Sequence, residues 1–215
     1  NLMLKINKKD LIKKHFDKLA TVRNLWIRKS AGFYSEDLKV MKEYIPVGSK
    51  ILEVGCGTGH LIASLKPSIG VGIDISQGMI KEAKTRYTDI KFIEADIENK
   101  DSLNLIDETF DFIIISDTIG YFGDIENTFN HFHKFCNADT RLIVAYYSPF
   151  WEPILNLAAK FKLKMPELQK VLLSENDISA LLNSSSFQTV KKQKKILVPF
   201  KAFGLGRFIN RFIAS

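Results

Sequence analysis

Three glycines on alternate positions, Gly55, Gly57 and Gly59, follow directly on the apolar run Ile51-Leu52-Glu53-Val54, and the amphipathic stretch His60 to Leu65 comes next. Glycine permits a tight strand-to-helix turn and lets a ligand approach bare backbone. A helix opening at that point aims its free N–H groups at the ligand. The chemistry this predicts is the holding of a cofactor. A dinucleotide turn needs G-x-G-x-x-G, with the pyrophosphate at the helix start. Here the sixth position is His60, and an acid, Glu53, stands two residues before the first glycine. That pattern suits a ligand with a cationic amino-acid end and no pyrophosphate.

Acids end the apolar runs that follow. Gly70-Val71-Gly72-Ile73-Asp74 sets a carboxylate 17 residues after Gly57, where it can accept both hydroxyls of a ribose. Any adenosine cofactor would use such a group. Lys91 to Asp96 reads as a third strand ending in an acid, and Phe110 to Asp117 as a fourth, whose Phe-Ile-Ile-Ile core suits a strand covered on both faces. Arg141 to Tyr147 reads as a fifth.

Glu53-Val54-Gly55-Cys56-Gly57-Thr58-Gly59 fits E/D-x-G-x-G-x-G, the first motif of the class I S-adenosylmethionine-dependent methyltransferases, and the chain resembles that family. The resemblance implies S-adenosylmethionine as cofactor and S-adenosylhomocysteine as product. It implies that Glu53, Gly55, Cys56, Gly57 and Gly59 cradle the amino-acid tail and that Asp74 takes the ribose. Ile75 and Met79 would line the adenine, Asp96 would accept its amino group, and the Ile97 N–H would meet its ring. Ser116 and Asp117 would run beneath the sulfonium, with Asp117 and Tyr121 the polar candidates nearest the transferred methyl. A narrower resemblance, carried by Tyr146 to Pro153, Leu163-Lys164-Met165-Pro166 and Leu173 to Ile178, is to bacterial methyltransferase domains often fused ahead of a glycosyltransferase. It implies a small-molecule, carbohydrate or glycolipid acceptor and a glycosyltransferase as neighbour. Two other readings stand beside it: a catalytically silent cofactor-binding module of a larger protein, and an NAD-linked oxidoreductase, which His60 and Glu53 disfavour.

Strands alternating with helical segments predict an α/β fold: a doubly wound, mostly parallel, Rossmann-like sheet of six or seven strands with helices on both faces. Right-handed crossovers would bring the glycine turn, Asp74, Asp96, Asp117 and Tyr147 to one edge. Residues 1–46 read as a helical lid, 47–150 as the cofactor core, and 151–215 as C-terminal helices, a last strand over Phe187 to Pro199, and a basic tail. The helix over 9–29 is expected to bury Leu11, His15, Lys18/Leu19, Val22 and Trp26. Ser76 should cap a helix from Met79 to Arg86, and Ser174 with Asp177 should open another. In Asp124 to Phe135 the expected buried stripe is Ile125, Phe129, Phe132 and Cys136, which leaves His131 and His133 in solvent.

The 215 residues suit one domain. The net charge of +7 is uneven: residues 1–30 carry nine basic and two acidic residues, 178–215 seven basic and none acidic, and the centre is net −7. Basic flanks on an acidic core, without aromatic–basic interleaving, read against nucleic acid. The basic amphipathic run Phe203 to Ile213 allows weak peripheral membrane contact. Two cysteines, neither at metal-ligand spacing, point to no metal and to a reducing, cytoplasmic setting. The start at Asn1 points to a piece of something longer.

Overall fold

The computed structural model describes residues 2–147, 153, 157, 159–161, 165–168 and 170–194. Five strands form one sheet: β1 (Lys50–Val54), β2 (Ile69–Asp74), β3 (Lys91–Glu94), β4 (Phe110–Ser116) and β5 (Cys136–Ala145). Their order is β3-β2-β1-β4-β5, and every pairing is parallel. Of the expected strand over Phe187 to Pro199, residues 187–194 are irregular and 195–199 lie outside the described residues; among the described residues the sheet has five strands where six or seven were expected.

Strand side chains alternate between faces, and two cores result. Leu52, Val54, Val71, Ile73, Ile113 and Ile115 face α5 (Ile125–Phe132) and α6 (Glu175–Ser184), meeting Phe129, Phe132 and Ile178. Ile51, Phe112 and Ile114 face α2 (Ala31–Tyr44), α3 (His60–Leu65) and α4 (Gln77–Arg86), meeting Met41, Ile62, Leu65 and Ile80. Burial on both faces is why β1 and β4 read as unbroken apolar runs.

The helix ends follow their capping residues. Ser76 accepts the Met79 N–H at 3.1 Å, Asp124 accepts Asn127 N–H at 3.0 Å, and Ser174 and Asp177 form a reciprocal capping box. His131 and His133 are not simply solvated. The first bonds the Ile97 carbonyl at 3.1 Å, and the second bonds that of Ser185 at 2.8 Å while stacking on Phe187.

The first helix, α1 (Leu2–Lys29), buries a different face from the one expected. Ile12, Ala20 and Ile27 are inside, whereas Leu11 is 57% and Val22 38% exposed. The inner stripe carries charge as well as apolar residues, so hydrophobicity alone picked the wrong side. This face lies across α4, with Gly78 against Ala20 and the Asp17 backbone. Asp17 Oδ1 accepts from Ser76 Oγ at 2.6 Å and Gly78 N–H at 2.9 Å, so one helix caps another. Further along, Lys9 bridges Asp96 and Glu98 at 2.6 and 3.0 Å, and Lys13 pairs with Glu94 at 2.6 Å. Tail residues 203–213 and most of the 151–161 segment lie outside the described residues.

Candidate functional site

The C-terminal ends of the strands open into a cavity roofed by α1. β1 turns there because Gly55, Gly57 and Gly59 all hold positive φ, at +74°, +53° and +76°. The three do different work. The missing Cβ of Gly55 leaves room for the Thr118 side chain, and that of Gly59 for the Phe92 ring. Only Gly57 presents its bare α-carbon to open space, with Arg23 Nε 4.0 Å from where a Cβ would stand. Gly59 lines neither this cavity nor the one beside it.

Asp74 braces the turn. Its Oδ2 accepts the Gly57 N–H and its Oδ1 the Ser76 N–H, each at 2.8 Å. Burial raises its pKa against the pull of those two N–H groups. Glu53 is 4% exposed and accepts the Ile62 N–H of α3 at 3.0 Å. Burial pushes its carboxyl up to about 8, with Asp74 and Asp37 adding repulsion.

Gly55, Gly57, Asp74, Ile75, Met79, Asp96, Ile97, Ser116 and Asp117 share the walls of the main cavity. Glu53 and Cys56 line the adjoining one, which also touches Gly55, Gly57, Ser116 and Asp117. Asp96 is engaged on both oxygens, Oδ1 by the Glu98 N–H at 3.0 Å and Oδ2 by Lys9. Asp117 holds φ +55°, a left-handed conformation that a short polar side chain tolerates, and its N–H donates to the Ala145 carbonyl at 2.9 Å. Tyr121 faces the same space, edge-on to Phe16 of α1. Burial, with Glu167 and Asp117 nearby, pushes its phenol well above the ordinary range, so it stays protonated near neutrality.

Several cavity residues escaped the sequence reading. From α1 come Lys9, Ile12, Phe16, Arg23 and Trp26, at helical spacing; from beyond β5 come Met165 and Glu167, beside Tyr147, which was expected at this edge. Arg23 donates to the Tyr34 hydroxyl at 2.7 Å and reaches toward Met165. Burial works against its charge, yet Tyr34, Glu167 and Asp117 outweigh that and hold the guanidinium more firmly protonated than usual. The signal that could have found it was a lone arginine on the face shared by Ile12, Phe16 and Ala20. The side chain of Phe33 lies outside the described residues. Among the described residues both cysteines are free, and no helix is long and apolar enough to cross a membrane.

A class I cofactor fits this geometry on one direct test. The only glycine of the turn whose absent side chain opens into the cavity is flanked by the paired acids and the arginine that an adenosyl amino acid needs. Comparison with known proteins points the same way. A family model described as a methyltransferase domain matches residues 45–203. The demethylmenaquinone methyltransferase of Staphylococcus saprophyticus is 27% identical over 73% of this chain and 70% of its own length. An uncharacterised protein of Methanocaldococcus jannaschii is 36% identical over 107 residues, 49% of this chain and 48% of that one, so the chain spans about half the length of that relative. Among solved structures, a Thermotoga maritima protein described as an S-adenosylmethionine-dependent methyltransferase, possibly a histamine N-methyltransferase, superposes with a TM-score of 0.67 at 21% identity. It covers 83% of this chain and 82% of its own, and at that identity the likeness is one of fold.

Proposed function

The chain belongs to the methyltransferase domain family, and from that premise we propose that it transfers the methyl group of S-adenosylmethionine to a flat small-molecule acceptor. The observation that carries the reading is the bare α-carbon of Gly57, at φ +53°, set between Asp74 and Arg23. S-adenosylmethionine supplies a methyl already activated by its sulfonium, so the protein's work is to position the partners and keep water out.

Each residue then has a task. Each oxygen of Asp74 uses one lone pair on a backbone N–H and keeps another for a ribose hydroxyl. Ile75, Met79 and Ile97 form apolar walls for the adenine, and Asp96 retains acceptor capacity toward its amino group. Arg23 faces the carboxylate of the amino-acid tail across the glycine turn. Glu53 has a second duty, tying the turn to α3 through Ile62. Ser116 and Asp117 lie at the methyl end, where Asp117 is the carboxylate able to take a proton from the acceptor. Tyr121, held protonated, can donate a hydrogen bond and cannot serve as base.

The acceptor side is walled by Phe16, Trp26, Tyr121, Tyr147 and Met165. Aromatic faces and a thioether favour a flat ring system, and the relative from Staphylococcus is named for a demethylmenaquinone. A carbohydrate or glycolipid acceptor with a neighbouring glycosyltransferase rests on the sequence resemblance and draws no support from this lining. The test is direct. S-adenosylmethionine and S-adenosylhomocysteine should raise the melting temperature while NAD leaves it unchanged. Release of S-adenosylhomocysteine with hydroquinone or phenol acceptors should then exceed the acceptor-free background. Stabilisation by NAD alone would overturn the cofactor; binding without release for any acceptor would leave a silent module.

A further inference from the structure

Beside the main cavity, on the α2 and α3 side of the glycine turn, lies a second one lined by Arg23, Tyr34, Asp37, Glu53, His60 and the turn itself. Two of its walls are carboxyls. Glu53, at the end of β1, offers only Oε2 to a backbone donor. Asp37 comes from α2, outside every motif of the sequence, and among the described residues it accepts no hydrogen bond and joins no ion pair. The two are near enough to repel one another, and burial raises both, Asp37 to about 6. A carboxylate held half-buried without a donor is costly unless a cation arrives to satisfy it. Within reach of the cavity the cation is Arg23, already bonded to Tyr34, while His60 is kept neutral by burial and by Arg23 itself. The cavity therefore brings one guanidinium and the carboxyls of Asp37 and Glu53 to the bare backbone of the turn. That is the complement of an amino-acid zwitterion.

We propose that Asp37, together with Glu53, binds the α-ammonium group of the cofactor's amino-acid tail, so that α2 and β1 both contribute to its seat. This deepens the reading given above and rests on it. The ammonium has three N–H donors. Oε1 of Glu53 and the oxygens of Asp37 supply acceptors, and among the described residues Asp117 is the one further carboxylate that lines this cavity. Asp37 is then a binding residue that sequence motifs could not disclose, contributed by a helix outside the region matched by the family model.

The test compares two probes that differ only in the tail. S-adenosylhomocysteine carries the ammonium and 5′-methylthioadenosine does not. In calorimetric titrations at pH 7.5, Asp37→Asn should bind S-adenosylhomocysteine at least tenfold more weakly than the wild-type chain, the scale of one charge-assisted hydrogen bond. Its affinity for 5′-methylthioadenosine should stay within twofold, and Asp37→Glu should recover part of the loss. Equal binding of S-adenosylhomocysteine by wild type and Asp37→Asn overturns the assignment while leaving the cofactor reading intact. An equal loss for both probes also overturns it, since a merely structural residue would act on both. A wild-type chain that binds neither probe overturns the cofactor reading and this inference with it.

Discussion

The ammonium of Lys9 donates to Oδ2 of Asp96 at 2.6 Å, and so pins the first helix to the tip of the third strand. The contact joins α1 to the carboxylate expected to meet the adenine. Both side chains are partly exposed, at 34% and 25%, so the pair is worth little in isolation, roughly 0.2–1 kcal/mol. The expected consequence is kinetic, since α1 roofs the cavity that the cofactor would enter and leave. Lys9→Ala should speed dissociation of S-adenosylhomocysteine about two- to fivefold in stopped-flow fluorescence, read from Trp26 in the cavity wall. Raising salt to about 0.5 M should bring the wild type close to the variant, since screening weakens exposed pairs. Identical off-rates in all conditions would show that α1 is not latched there.

The glycines of the turn should separate by experiment. Gly59→Ala places a Cβ 2.5 Å from Cζ of the buried Phe92 ring at φ +76°, so it should lower stability by about 2–4 kcal/mol in urea unfolding. Gly57→Ala meets only open space and Arg23 at 4.0 Å. It should cost about 1–2 kcal/mol of strain and weaken S-adenosylhomocysteine binding more than tenfold. A Gly57→Ala chain that binds as well as wild type would remove the cradle from that position.

Glu53 ties stability to pH. Burial pushes its carboxyl up from an ordinary value of 4.5 to about 8 in the folded chain. Between those limits the folded state holds a proton that the unfolded state has released. Stability attributable to this group is therefore greatest below about 4.5 and falls as pH rises toward 8, by at most about 5 kcal/mol. Glu53→Gln keeps an acceptor for the Ile62 N–H and removes the ionisation. Thermal unfolding from pH 5 to 8 should show a flatter profile and a higher melting temperature at pH 8 than the wild type. A parallel pair of profiles would mean that Glu53 is ionised in the folded protein. The same variant should lose cofactor affinity, which makes the acid a functional residue kept at a structural cost.

Two polar groups of the cavity assigned above to the methyl end, Asp117 and Tyr121, should respond differently to removal. Asp117→Asn should cut kcat about a hundredfold or more with a hydroxyl acceptor, the scale of general-base loss. Cofactor affinity should change by less than fivefold. Tyr121→Phe deletes a hydroxyl that stays protonated and bonds the Leu168 carbonyl at 3.4 Å, so turnover should fall less than fivefold. The reverse order of effects would assign the proton transfer to Tyr121.

The core of the fold was legible because its signals are local. Glycine at positive φ, acids at strand ends and capping serines such as Ser76 and Ser174 act within a few residues of themselves. The walls facing the strand ends were not. Arg23 and Lys9 look like solvated charges in a basic helix, and only the tertiary placement of α1 turns them inward. Leu11 and Val22 misled for the same reason: the inner face of α1 is partly charged, so an apolar stripe marked the side left exposed. The strand expected over Phe187 to Pro199 is irregular along its first eight residues, which no strand of the sheet pairs, and 195–199 lie outside the described residues. Asp37 carried no signal at all, because a single acid in a helix has no spacing to betray it.

The match to the family begins at residue 45, yet the roof of the cavity is made by residues 9 to 37. In the reading proposed above, that one cover touches both ligands, with Arg23 and Asp37 toward the cofactor's tail and Phe16 and Trp26 toward the acceptor, so a change in it would be felt by both.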